Sequence, residues 1–197
     1  MISHVRAMAL VFVTTVPMAS AQTPGSPTAA SAAPTSPWSV RATAAVYVMP
    51  DDDDFVQPTV AVDRGALHLE GRYNYEDRNS LSGFIGWNAA VGSTVTLEVT
   101  PMFGGVVGDT NGIIPALALT LSFRRFELYS EGEYVIDVND RRNRFLYSWS
   151  EASVWATDWL RAGLVTQRTR TIRERLENPR EIERGALIGL SLGKFEG

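Results

Sequence analysis

Ten polar residues carry the chemistry this chain could perform: His68, Glu70, Arg72, Glu98, Glu127, Glu131, Glu133, Glu151, Arg161 and Gln167. Each stands in a segment where polar and apolar residues alternate, so one surface would gather six carboxylates against two arginines. Such a set cannot neutralise itself, and part of it must be hydrated, protonated or held against a cation. In a narrow water-filled space the surplus raises the local cation concentration and gives a cation-preferring path. In a filled space the same Glu and Arg residues satisfy one another and form a plug.

A second chemistry needs a nucleophile. Ser with His and a carboxylate can hydrolyse or transfer an acyl chain, and Ser80, Ser82, Ser130, Ser148 and Ser150 all accompany His68. None stands in a Gly-x-Ser-x-Gly elbow, and a His between two Leu residues suits a lumen lining as well as a catalytic site. The reading is therefore of no enzyme, no catalytic residue and no cofactor. Asp51 to Asp54 lack the spaced ligands and Gly of a calcium loop, so they read as a solvated turn and no metal site is assigned.

The elements that position the ten residues are strands. From Leu67 to Tyr75 the odd positions are Leu, Leu, Gly, Tyr and Tyr, and the even ones are His, Glu, Arg and Asn. A strand sends successive side chains to opposite faces, so one face meets an apolar medium and the other water. Val95, Leu97 and Val99 against Thr96, Glu98 and Thr100 repeat the pattern, as do Phe126, Leu128, Gly132 and Tyr134 against Glu127, Tyr129, Glu131 and Glu133. Leu117, Leu119, Leu121 and Phe123 oppose Ala116, Ala118, Thr120 and Ser122. Glu151 shares a face with Tyr147, Trp149 and Trp155, and is placed inward because a carboxylate facing hydrocarbon is costly. Tyr73, Tyr75, Tyr134 and Trp87 near strand ends suit the headgroup level.

Ten segments follow: 38–50, 57–63, 66–75, 80–91, 94–107, 113–123, 126–137, 144–156, 160–172 and 184–193. Short links at 63–65, 92–93, 124–125, 157–158 and 193–194 alternate with longer ones at 51–56, 76–79, 108–112, 138–143 and 173–183. This is the repeat of an all-β, antiparallel up-and-down transmembrane β-barrel, with short turns in the periplasm and long loops outside.

Residues 1–21 have a weakly basic start, an apolar stretch and an Ala19-Ser20-Ala21 ending, which reads as a cleavable export signal. Residues 22–37, rich in Pro, Ser, Thr and Ala, read as a disordered leader, and 38–197 as the barrel domain. Without the signal, 17 basic face 22 acidic residues, a net charge of −5 with no basic stripe, so nucleic acid is not a partner. Cysteine is absent, which excludes disulfide and thiolate chemistry. Outer-membrane lipids are the natural surroundings, and Arg168, Arg170, Arg173, Arg175, Arg180 and Arg184 could meet lipopolysaccharide phosphates. Interleaved Glu174, Glu177, Glu181 and Glu183 make a self-neutralising loop the simpler expectation. No pattern sets an oligomeric state.

A water-soluble periplasmic barrel binding a small apolar ligand is the alternative, with every face inverted; a lipid-acyl hydrolase or transferase barrel is a weaker one. The acid surplus and the glycines at 83, 86, 104, 105, 132, 163, 185 and 189 favour the membrane.

Several stretches carry a resemblance: Val56-Gln57-Pro58-Thr59, Asp63-Arg64-Gly65, Leu67 to Asp77, Leu97 to Met102, Leu128 to Val135 and Gly163 to Thr169. Together they resemble a group of uncharacterised, porin-like bacterial outer-membrane β-barrel proteins over nearly all of Trp38–Lys194. The resemblance implies a Gram-negative outer membrane, and insertion by its assembly machinery. It brings no assigned substrate or site residue. Members of the group continue through further strands and end on an aromatic residue, whereas Lys194-Phe195-Glu196-Gly197 would open the next strand here. The expectation is either ten self-closing strands or a twelve-strand barrel truncated at its C-terminus.

Overall fold

A computed structural model of the chain describes residues 8–18, 38–48, 55–139, 144–172 and 180–191. It is all-β: β1 (Met8–Met18), β2 (Trp38–Val48), β3 (Phe55–Arg64), β4 (Leu67–Tyr73), β5 (Leu81–Trp87), β6 (Ala89–Gly92), β7 (Val95–Val107), β8 (Gly112–Phe123), β9 (Phe126–Asp137), β10 (Phe145–Trp155), β11 (Leu160–Thr171) and β12 (Arg180–Ser191). From β2 to β12 each strand pairs antiparallel with its neighbours in one up-and-down sheet, curled so that one face turns inward. β5 and β6 pair end to end along β7, so they are one wall strand interrupted at Asn88. The ten expected segments are these ten wall strands. The leader 22–37 and the Asp51–Asp54 turn lie outside the described residues.

Most boundaries shift by one or two residues, and two differences from the sequence reading are larger. The expected 173–183 loop is shorter, because β12 begins at Arg180 and pairs it with Arg170 of β11. In addition, Met8–Met18, expected to belong to a removable signal, is a strand in the full chain. It pairs antiparallel with all of β2 and parallel with β12 from Ala9 to Val13. Its run Val11-Phe12-Val13-Thr14-Thr15-Val16 consists of strand formers, and the edges of β2 and β12 offer unpaired backbone groups. Without β1, β2 and β12 run antiparallel to each other, the orientation an even-stranded wall requires.

Alternation is carried through the wall. Outward side chains include Leu81, Ile85, Phe103, Leu117, Phe126 and Leu164, all exposed, whereas the inward His68, Arg72, Glu131, Glu133 and Glu151 are buried. The inner half near the long links is filled. Phe84, Met102, Val106, Ile114 and Val135 pack into one cluster and Tyr147, Trp149, Val165 and Leu187 into another, with Phe145 against both. Two of the long links, 76–79 and 108–112, are tied to each other at this end: Thr110 Oγ1 donates to Asp77 at 2.7 Å, and Asn79 Nδ2 donates to Asp109 at 3.1 Å.

Candidate functional site: a buried charge network above a carboxylate-lined chamber

Register places the inward residues of β4 opposite β3 and β5, and shear brings β9 across the lumen to meet them. Arg72 stands at the centre and is 1 % exposed. Its Nε donates to Glu70, one terminal nitrogen to Glu131 and the other to Glu133, while Glu76 lies 3.8 Å away. The guanidinium carbon lies over the rings of Tyr75, 4.2 Å from the centroid, and Phe84, at 4.5 Å. Only a planar fork with five donors serves three carboxylates and two ring faces together. Glu131 Oε2 also accepts the Tyr129 hydroxyl at 2.6 Å and the Tyr75 hydroxyl at 3.2 Å.

The network continues toward the short turns. His68 Nε2 lies 3.0 Å from Glu70, and its Nδ1 lies 2.7 Å from Asp63. Asp63 accepts from Asn88 at 2.6 Å, and Asn88 Oδ1 accepts from Thr100 at 2.7 Å. A second node sits on the opposite wall, where Arg161 donates to Glu127 at 2.8 Å and to Glu151 at 2.7 Å, and Trp149 Nε1 donates to Glu151 at 2.8 Å.

Between these nodes, on the short-turn side, lies a cavity of ≈ 810 Å³. Its walls carry Asp63, Glu70, Glu98, Glu127, Glu131 and Glu151 beside His68, Arg41 and Arg161. It ends at Tyr75, Tyr129, Glu131 and Trp149, and its lining includes none of Val106, Ile114, Val135 or Tyr147. The chamber therefore stops where the packed half begins.

Nine of the ten sequence-derived residues join the two nodes or line the chamber. Glu98, across from Ala90 and Thr120 in the ladder, lines the chamber and has no ion-pair partner among the described residues. Gln167 is half-buried opposite Trp149 and joins neither node. Both ring nitrogens of His68 meet carboxylates, so no Ser hydroxyl bonds to it among the described residues. Ser130 and Ser150 bond to each other at 2.9 Å on the outer face, and Ser80 Oγ donates to Arg78 O at 3.3 Å.

Tyr75 corrects the sequence reading. It was expected at the headgroup level, yet it lies inside, edge-on to Tyr147 with ring centroids 5.5 Å apart. The cause is Asn74, whose φ of 57° ends the two-residue alternation and swings the next side chain inward. Asn74 is fixed there by donating to Val56 O at 3.0 Å and accepting from the Asn79 amide at 2.8 Å. The same reversal buries Glu76, which the sequence placed in an outer link. Asp63, read as a turn residue, was legible by parity with Gln57 and Thr59; Glu76 was not, because its position depends on the left-handed Asn74.

Burial raises the Tyr75 hydroxyl well above its ordinary range, reinforced by the Glu131 charge. Burial also raises the Glu76 carboxyl, with Arg72 opposing it. The fold thus favours protonated Glu76: this contribution is full below 4.5, the ordinary value, and is lost as pH rises through the raised one. Glu76→Gln is expected to flatten that loss, so that variant and wild-type urea midpoints diverge in the variant's favour as the pH is raised above 4.5. A midpoint difference independent of pH would contradict the assignment.

Comparison with protein-family models, curated proteins and solved structures found no match to this chain.

Proposed function

We propose that this chain is an outer-membrane β-barrel of structural type, without chemistry of its own. Its lumen is plugged in the long-link half and opens on the periplasmic, short-turn side into a cation-gathering chamber. One observation carries the reading: the two faces are reversed relative to a water-soluble protein. Leu164 is 70 % and Ile85 57 % exposed on the outer wall, while Arg72, Glu131 and Glu133 are at most 2 % exposed inside. A wall with apolar side chains outside and charges inside is stable where the surroundings are hydrocarbon. The packed half favours a plug over a continuous path, and Glu98, without an ion-pair partner among the described residues, supports the cation preference of the chamber. Residues 1–21 direct export, and their removal lets β2 and β12 meet.

The test is expression of the full chain with membrane fractionation, unheated gel migration and planar-bilayer recording. Recovery in the outer membrane as a heat-modifiable band with negligible conductance is the expected result. Recovery as a soluble periplasmic monomer would overturn the membrane reading, and a steady cation-selective current would overturn the plug.

A further inference from the structure

The outer wall is not uniformly apolar. Across β7 and β8 the outward ladder reads Leu97–Leu121, Val99–Leu119, Pro101–Leu117 and Phe103–Pro115. Across β9 to β12 one row reads Ser130–Ser150–Thr166–Arg184 and the next Gly132–Ser148–Arg168, with Arg170 beside Leu146 above them. Arg168, Arg170 and Arg184 thus share the outward face of two adjacent strands, with Arg180 opposite Arg170 in the ladder. β11 runs to Thr171 and β12 starts at Arg180, so Arg168, Arg170 and Arg184 are strand residues, as the expected segments 160–172 and 184–193 have them, while Glu174 and Glu177 of the expected self-neutralising loop lie outside the described residues. Glu181 and Glu183 occupy the alternate ladder positions, opposite Thr169 and Gln167. Among the described residues none of the three arginines has a carboxylate partner, and the Nε atoms of Arg168 and Arg170 are buried without a hydrogen bond.

We propose that this strip is a docking surface for the phosphate groups of outer-leaflet lipopolysaccharide. The inference rests on the outer-membrane reading above. Arg168 lies three residues from the long-link end of β11, and Arg184 four from that end of β12. At about 3.3 Å per residue along tilted strands their Cα atoms are roughly 7–10 Å below the rim. Arginine side chains of that reach extend back to the interface, where a charge is tolerated and a phosphate is bound bidentately. Charge complementarity selects the occupant: a second copy would set arginine against arginine, whereas a phosphorylated glycolipid meets guanidinium above and the Ser and Thr hydroxyls below.

The full chain is refolded into phosphatidylcholine vesicles, where heat-modifiable migration first establishes the barrel; failure at this step counts against the membrane reading rather than the docking surface. Added bisphosphorylated lipid A is then expected to raise the temperature at which the folded band is lost, and dephosphorylated lipid A is not. R168Q/R170Q/R184Q is expected to fold and to require on the order of 100-fold more lipid A for the same shift, whereas R168K/R170K/R184K keeps most of the response. Should the triple Gln variant fail to fold, R184Q alone is expected to bind roughly fivefold more weakly. Equal protection by the dephosphorylated lipid or by inorganic phosphate, or an unchanged response in the Gln variants, would overturn the proposal.

Discussion

Replacing Arg72 with Met is expected to cost about 3–5 kcal/mol of barrel stability, read as a lower urea midpoint in lipid vesicles. The substitution preserves length and apolar stem but leaves Glu70, Glu131 and Glu133 facing one another without their shared cation. Buried carboxylates stripped of a partner are far more costly than the ion pair is stabilising, so the loss exceeds what the volume change alone would cause. Arg72→Lys is expected to recover less than half of it, because an ammonium cannot serve three carboxylates while lying between the Tyr75 and Phe84 rings. Adding Glu131→Gln and Glu133→Gln to Arg72→Met removes two of the three stranded charges and leaves Glu70 beside His68, and is expected to restore most of the stability. A Met variant as stable as the wild type would show that the network is incidental to the fold.

Truncating Tyr147 to Ala is expected to cost about 3–5 kcal/mol and to loosen the plug. The residue is 2 % exposed, stacks edge-on with Tyr75 and belongs to the cluster with Trp149, Val165 and Leu187. Its loss opens a cavity between the packed half and the chamber end at Tyr75 and Trp149. In planar bilayers the variant is therefore expected to pass a small, noisy cation current that the wild type lacks. Thermal loss of the folded band measures the stability, and a variant that is destabilised yet silent would place the seal elsewhere in the packed half.

The wall was readable from alternation because the periods of its segments are unbroken. Leu117–Phe123 and Phe126–Tyr134 assign their own faces, and the short links between strands fix which ends lie together. The site was readable only as a face. That Arg72 pairs with Glu131 and Glu133, 59 and 61 residues away, follows from barrel shear, which alternation does not encode. Tyr75 and Glu76 escaped because one positive φ at Asn74 shifts parity; Asn tolerates that conformation, but the alternation running through Leu67–Tyr75 does not mark the position where it is adopted. Met8–Met18 was expected to belong to an export signal, and its Val, Phe and Thr residues also make a good strand. The filling of the loop half rests on Ile114, Val135 and Tyr147 converging from three strands, a packing event that no single segment displays.

The chain has no cysteine, so a single introduced thiol reports its own surroundings. The most direct measurement is labelling of Leu117→Cys, Thr120→Cys and Ile114→Cys in native outer membranes with a membrane-impermeant maleimide applied from the periplasmic side. Leu117 is on the outer wall, Thr120 lines the chamber and Ile114 is in the packed half. The expected result is rapid labelling at position 120 with protection at 117 and 114, the last two becoming reactive only on unfolding. Rapid labelling at 117 would place the apolar face in water and contradict the barrel's membrane setting, and labelling at 114 as fast as at 120 would contradict the plugged lumen.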